Sequence, residues 1–201
     1  MAVDGAYQLA AACCESLDVA SALLDAEPEL LLARTSLGET ALHFLVVENQ
    51  LDAVRWLFER GAALDTLSEL AITPLSEAAS LGHEALVDWL LESGAALDVP
   101  GLCAPVLVSA AGSGNVEIVR SVVAAGAVVA VADRFGRTAL HVACRSDAGL
   151  AIVDRLLAAG ASPDASRVIG KTPLDVAIES GASQVASLLR ARGATTVRRI
   201  G

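Results

Sequence analysis

Aromatic side chains occupy only 3% of the 201 positions, there is a single lysine, Lys171, and no apolar run is long. The longest, 122–132, has 11 residues and contains Gly126, well short of the roughly 20 needed to cross a bilayer. A secretory leader needs a basic stretch and then an uninterrupted apolar one, but Asp4 and Glu15 stand there instead. A soluble, cytoplasmic protein without membrane partners is therefore expected. Four cysteines, Cys13, Cys14, Cys103 and Cys144, show neither a C-x-x-C pair nor metal-ligand spacing, so reduced, buried thiols are expected, with no zinc site, no other metal and no disulfide framework.

Positive charge is also scarce: 14 basic residues face 24 acidic ones, a net charge of −10. Four of the arginines fall between Arg190 and Gly201, where there is no acid, so the body is more acidic still and the tail is basic. Such a body repels phosphate backbones and anionic lipid, which argues against nucleic acid and favours a protein partner with a basic surface. At 54% apolar the chain is too hydrophobic for a disordered one. Its length suits one domain or a short array of stacked units, not an enzyme with separate cofactor and substrate lobes.

What the chain does have is repetition. Thr40-Ala41-Leu42-His43 is followed 33 positions later by Thr73-Pro74-Leu75-Ser76, and Thr138-Ala139-Leu140-His141 is followed 34 later by Thr172-Pro173-Leu174-Asp175. A second phrase, Gly61-Ala62-Ala63-Leu64-Asp65, returns at Gly94, Gly126, Gly160 and Gly193 with steps of 33, 32, 34 and 33. Threonine before proline or alanine suits an N-cap and first helical position. Leu75, Ala78 and Ala79 then share one face, a second helix follows Gly82-His83 through Val87, Leu90 and Leu91, and Gly94 ends it in the left-handed conformation. One period reads as helix, turn, helix and projecting loop.

These phrases resemble the ankyrin repeat, whose unit of about 33 residues carries T-P-L-H-x-A. The resemblance covers essentially the whole chain and implies an all-α ankyrin-repeat solenoid of stacked helix-turn-helix units. Repeats are expected at 35–67, 68–99, 100–132, 133–166 and 167–201, after an N-terminal capping helix pair at 1–34. In that pair Ala11, Ala12, Val19, Leu23 and Leu24 keep the pattern, and Gln8 and the polar residues after Arg190 suit terminal units. Two departures stand out. Cys103-Ala104-Pro105-Val106-Leu107 replaces Gly-x-Thr-Pro-Leu, removing an N-cap worth about 1 kcal/mol. Arg145-Ser146-Asp147-Ala148-Gly149 carries one residue more than the matching inter-helix turn, an insertion that reads as a loop open to change.

Candidate chemistry is thin. His43, His83 and His141 have no second histidine three or four positions away, and the resemblance implies that they bond neighbouring loop backbone. Gly170-Lys171-Thr172 looks like the end of a phosphate-binding loop, but Ala165 stands where its first glycine belongs, and the same Gly-x-Thr recurs at Gly38 and Gly136. Asp25, Glu27 and Glu29 cluster at a repeat junction, and Ser80 and Ser109 lack a Gly-x-Ser-x-Gly turn. Neither a cofactor nor catalysis is expected.

The positions left free by stacking are the loop tips and the concave side of each first helix. Among them Glu39, Glu48, Glu69, Leu70, Ile72, Leu81, Leu102, Arg134, Phe135, Arg137, Arg145, Val168 and Lys171 are the expected partner-binding residues. With Leu37 and Ile169, the apolar tips would form a row about 40 to 50 Å long at roughly 10 Å per unit. Acidic side chains lead in the first repeats and basic ones in the last, so a dipolar groove is expected to orient its partner. Phe135, flanked by Arg134 and Arg137, is the expected anchor. The resemblance implies a non-catalytic protein–protein interaction module, monomeric outside its complex. The alternatives are a stand-alone bacterial inhibitor or immunity protein that blocks one toxin or enzyme, suggested by the alanine- and arginine-rich composition, and self-association through the tip row.

Overall fold

The computed structural model describes residues 4–165 and 170–196. Among them are twelve α-helices and no β-strand, only an isolated antiparallel bridge between Ala132 and Thr138. The chain divides into two compact units, Met1–Cys103 and Ala104–Gly201.

The first unit holds three helical hairpins: α1 (Gly5–Glu15) with α2 (Leu17–Ala26), α3 (Ala41–Val47) with α4 (Leu51–Glu59), and α5 (Pro74–Leu81) with α6 (Glu84–Glu92). A short 3-10 turn, Pro28–Leu32, follows α2. α1 packs on α3 and α3 on α5, so the first helices form one layer. Leu9, Leu42, Leu45 and Leu75 from that layer are fully buried, as are Leu57, Leu86 and Leu90 from the second helices. Removing each of these from water contributes on the order of 2 kcal/mol.

The second unit repeats the plan with α7 (Val106–Ser113) and α8 (Val116–Ala124), α9 (Ala139–Ala143) and α10 (Leu150–Ala158), and α11 (Pro173–Glu179) and α12 (Ser183–Ala191). Its core is Ile118, Leu140, Ile152, Leu156 and Leu189. Pro105 is the N-cap of α7 and supplies no side-chain hydrogen bond, the loss read from the sequence. Its neighbour α8 is capped by Asn115, whose carbonyl oxygen accepts from the N–H groups of Glu117 and Ile118.

The repeated threonines begin first helices, and the residue three places on completes each cap. Thr73 and Ser76 exchange hydrogen bonds: the Thr73 N–H donates to Ser76 Oγ at 2.9 Å and the Ser76 N–H to Thr73 Oγ1 at 3.2 Å. Thr172 and Asp175 do the same at 2.9 and 3.3 Å. In the other two phrases histidine takes this place and does more. The Thr40 N–H donates to His43 Nδ1 at 3.1 Å, so Nδ1 is the unprotonated nitrogen and Nε2–H is left to donate to the Ile72 carbonyl at 3.2 Å. His141 repeats this with the Thr138 N–H at 3.2 Å and the Lys171 carbonyl at 3.1 Å. Each imidazole thus caps its own helix and ties it to the next loop. The aspartate of the glycine phrase provides a second tie: Asp65 accepts from the Ala96 N–H at 2.8 Å and Asp164 from the Thr195 N–H at 2.6 Å.

The insertion before α10 is an internal brace. Its 3-10 turn, Asp147–Gly149, presents the Asp147 carboxylate to the N–H groups of Gln184 and Val185, at 2.9 and 3.1 Å, at the start of α12. Gly149 is needed for its size: a Cβ there would lie 2.1 Å from the Ala143 carbonyl oxygen. Only Cys13 and Cys144 are buried, with thiols pushed up by burial to about 11 and about 12. Cys14 is exposed and Cys103 half-buried, in contrast to the uniformly buried thiols expected.

Candidate partner-binding surface

The loop tips owe their shape to one five-residue turn used three times, at residues 35–39, 68–72 and 133–137. In each, the first N–H donates to the fifth carbonyl: Thr35 to Glu39 at 2.9 Å, Ser68 to Ile72 at 3.0 Å and Asp133 to Arg137 at 2.9 Å. The first side chain closes the turn from inside by accepting the fifth N–H, through Thr35 Oγ1 at 3.2 Å, Ser68 Oγ at 3.3 Å and Asp133 Oδ1 at 2.8 Å. The fourth residue must then be left-handed, which Gly38 and Gly136 satisfy freely and Ala71, at φ 58°, only under strain. The second and third side chains are thrust outward.

In the first unit the outward residues include Leu37, Glu69 and Leu70, the last 58% exposed, with Glu39, Ile72 and Leu102 half-buried. Glu48 and Leu81, at the ends of α3 and α5, are exposed. Negative charge is concentrated enough to act on its members: burial, and then the carboxylate of Glu39, hold Glu77 above its ordinary pKa. Tip 35–39 also touches its neighbour, the Glu69 N–H donating to the Leu37 carbonyl at 2.7 Å.

In the second unit the turn 133–137 carries the aromatic. Phe135 is 55% exposed, and the guanidinium carbons of Arg134 and Arg137 lie 4.9 and 5.2 Å from its ring centre. Beneath it Asp133, its side chain 1% exposed, accepts from the Phe135 N–H at 2.9 Å and from Arg137 Nε at 2.7 Å. Burial raises the Asp133 pKa, but the hydrogen bonds from Arg137 and Phe135 and the Arg137 charge outweigh it and leave the carboxyl below its ordinary value. The backbone that carries the ring is therefore fixed from below, and two guanidinium groups lie against the ring itself.

The four expected cations differ in how free they are. Arg137 is neutralised by Asp133, and Lys171 reaches Glu179 at 2.5 Å, whereas Arg145 is exposed beyond the end of α9 and Arg134 lies on the ring. Val168 and Ile169 lie outside the described residues. The expected acidic residues belong to the first unit and the expected basic ones to the second. Asp133 was missed as a site residue, although a polar side chain five places before the threonine recurs as Thr35, Ser68 and Asp133. Glu77 was missed too. Its place in the first turn of α5, a helix whose repeating signal is its apolar face, gives no sign of it in the sequence.

Among the described residues no group of three or more His, Cys, Asp or Glu could hold a metal ion, and no helix is long and apolar enough to cross a membrane. Both ring nitrogens of His43 and His141 are engaged in the ties described above.

Comparison with family models matches "Ankyrin repeats (3 copies)" over residues 8–101 and 107–199. The chain is also similar to a transient receptor potential cation channel subfamily A member 1 homolog of Caenorhabditis elegans, with 30% identity over 125 residues. That alignment covers 62% of this chain and 10% of the relative, so the chain spans about a tenth of the relative's length. Matched over nearly its whole length and built of capped helical hairpins with projecting turns, the chain belongs to the ankyrin-repeat family, whose repeats are generally protein–protein interaction modules and typically non-catalytic.

Proposed function

We propose that this chain is a non-catalytic binder of another protein in the cytoplasm and that the turn 133–137 anchors the complex. The observation that carries this reading is an aromatic ring 55% exposed on a turn whose backbone is clamped by a buried carboxylate. An anchor that is already ordered loses little entropy on binding, and aromatic and arginine side chains dominate interface energetics. The fitting partner feature is an apolar cavity for the ring with an acidic rim for Arg134. On the first unit, Leu37, Leu70 and Leu81 beside Glu39, Glu48 and Glu69 complement a basic, apolar surface. Adaptor and single-target inhibitor use such surfaces alike and differ in how many proteins they hold.

The test is capture from lysate of the native host with wild type, Phe135→Ala and Arg134→Ala side by side, each shown folded by circular dichroism. A protein held by wild type and lost from Phe135→Ala supports the reading. Identical retention by all three overturns it.

A further inference from the structure

Where the aspartate of the glycine phrase ties one unit to the next, the register is the same: the carboxylate four residues after one glycine accepts the N–H two residues after the next glycine, as Asp65 does from Ala96 and Asp164 from Thr195. Counted back by the 33-residue step, the tie to Ala63 falls on Leu32, which has no side-chain acceptor. The Ala63 N–H accordingly makes no hydrogen bond to any described residue. Leu32 is 75% exposed, more than any other large apolar side chain among the described residues. Leu32 and Ala63 both line a partly enclosed cavity of about 110 Å3 whose walls include Leu31, Leu42 and Leu57.

Arg34 lines the same cavity with an exposed side chain. The first unit has only two other basic residues, and both lie against indole rings: the guanidinium carbons of Arg55 and Arg60 are 6.0 and 3.6 Å from the ring centres of Trp89 and Trp56. Arg34 instead makes one hydrogen bond, from Nη1 to the Leu67 carbonyl at 3.3 Å, which leaves most of its N–H donors open. An aliphatic wall thus adjoins a backbone donor that lacks its usual carboxylate and a guanidinium able to hold one.

We propose that this cavity binds a small aliphatic carboxylate, its chain against Leu42 and Leu57 and its carboxylate on Arg34 and the Ala63 N–H. A cavity of roughly 150 Å3 takes benzene, so this smaller one suits an aliphatic group of about four or five carbons. Such a group occurs both in free short-chain acids and at the end of a peptide whose last residue is leucine. The acidic surplus of the first unit opposes an anion at long range, but exposed charges more than about 8 Å away are screened at physiological salt. The site is separate from the turn 133–137 and does not depend on its role.

The test is titration of the 15N-labelled 201-residue chain with 4-methylpentanoate and with N-acetyl-leucine, each beside its neutral amide, at about 0.15 M salt. Saturable movement of the Ala63 N–H resonance is expected, with a dissociation constant on the order of 1 mM for the acids. The amides should bind at least about fivefold more weakly, and Arg34→Gln should weaken the acids by a similar factor without affecting the amides. Leu32→Asp supplies the carboxylate that Asp65 gives to Ala96, and should abolish acid binding while raising the urea midpoint. Both substitutions are at exposed positions and should leave the circular dichroism spectrum unchanged. Tighter binding of N-acetyl-leucine supports a chain terminus as the source, and tighter binding of 4-methylpentanoate a free acid. The proposal is overturned if neither acid saturates by about 20 mM, if the amides bind as tightly as the acids, or if both folded variants bind like wild type.

Discussion

His141 is joined to Lys171 across 30 residues of chain: its Nε2 lies 3.1 Å from the Lys171 carbonyl while its Nδ1 accepts from the Thr138 N–H. The ring is 1% exposed, so neither group it satisfies can turn to water in its place. His141→Ala should lower unfolding free energy by about 2 to 4 kcal/mol, combining a cavity with two unpaired backbone groups. Urea denaturation measures it, and a loss under about 0.5 kcal/mol would contradict the tie.

The equivalent His43 gives stability a pH dependence. Burial, reinforced by nearby Arg34, holds its pKa below 6.5 against the raising pull of the Ile72 carbonyl and Glu39. The unfolded chain then takes up a proton more readily than the folded one. Its contribution is fully present above pH 6.5, and is lost as pH falls through that value toward the lower folded pKa. Wild type should therefore lose more stability than His43→Ala between about pH 7 and pH 5, read from paired urea titrations. Parallel slopes would show that the folded imidazole is not held neutral.

Ala71 occupies the place of Gly38, Gly136 and Gly170 but at φ 58°. A left-handed alanine costs about 1 to 2 kcal/mol, part of which glycine gives back through greater freedom when unfolded. Ala71→Gly should stabilise the protein by about 0.5 to 1 kcal/mol, visible as a raised unfolding midpoint. The reverse change, Gly38→Ala, should destabilise it, because the added Cβ would also lie 3.1 Å from the Glu69 nitrogen.

Gly149 is constrained by space, its φ being an ordinary −79°. Gly149→Ala drives a methyl group against the Ala143 carbonyl and should displace Asp147 from the start of α12. A loss of about 3 kcal/mol or more in thermal or urea unfolding is expected. A neutral result would mean that the inserted turn moves freely.

These cases mark what the sequence could and could not disclose. Thr73-Pro74-Leu75 and Gly94 place the elements because helix starts and stops are set by residues within one turn of each other. The structural role of His43 followed from the family resemblance. Asp147 was read as part of a changeable loop because the amides it caps lie 37 and 38 residues away. Arg137 is expected among the partner-binding basic residues, and the sequence does not disclose that Asp133 neutralises it, because the two meet only once the turn has closed.

The central claim, that Phe135 on its clamped turn anchors a protein partner, is tested most directly by titrating the captured partner into wild type and Phe135→Ala by calorimetry. The account predicts an affinity at least about 30-fold weaker for the variant, the 2 kcal/mol expected of a hot-spot aromatic, with an unchanged unfolding midpoint. Affinities within about twofold of each other would contradict it.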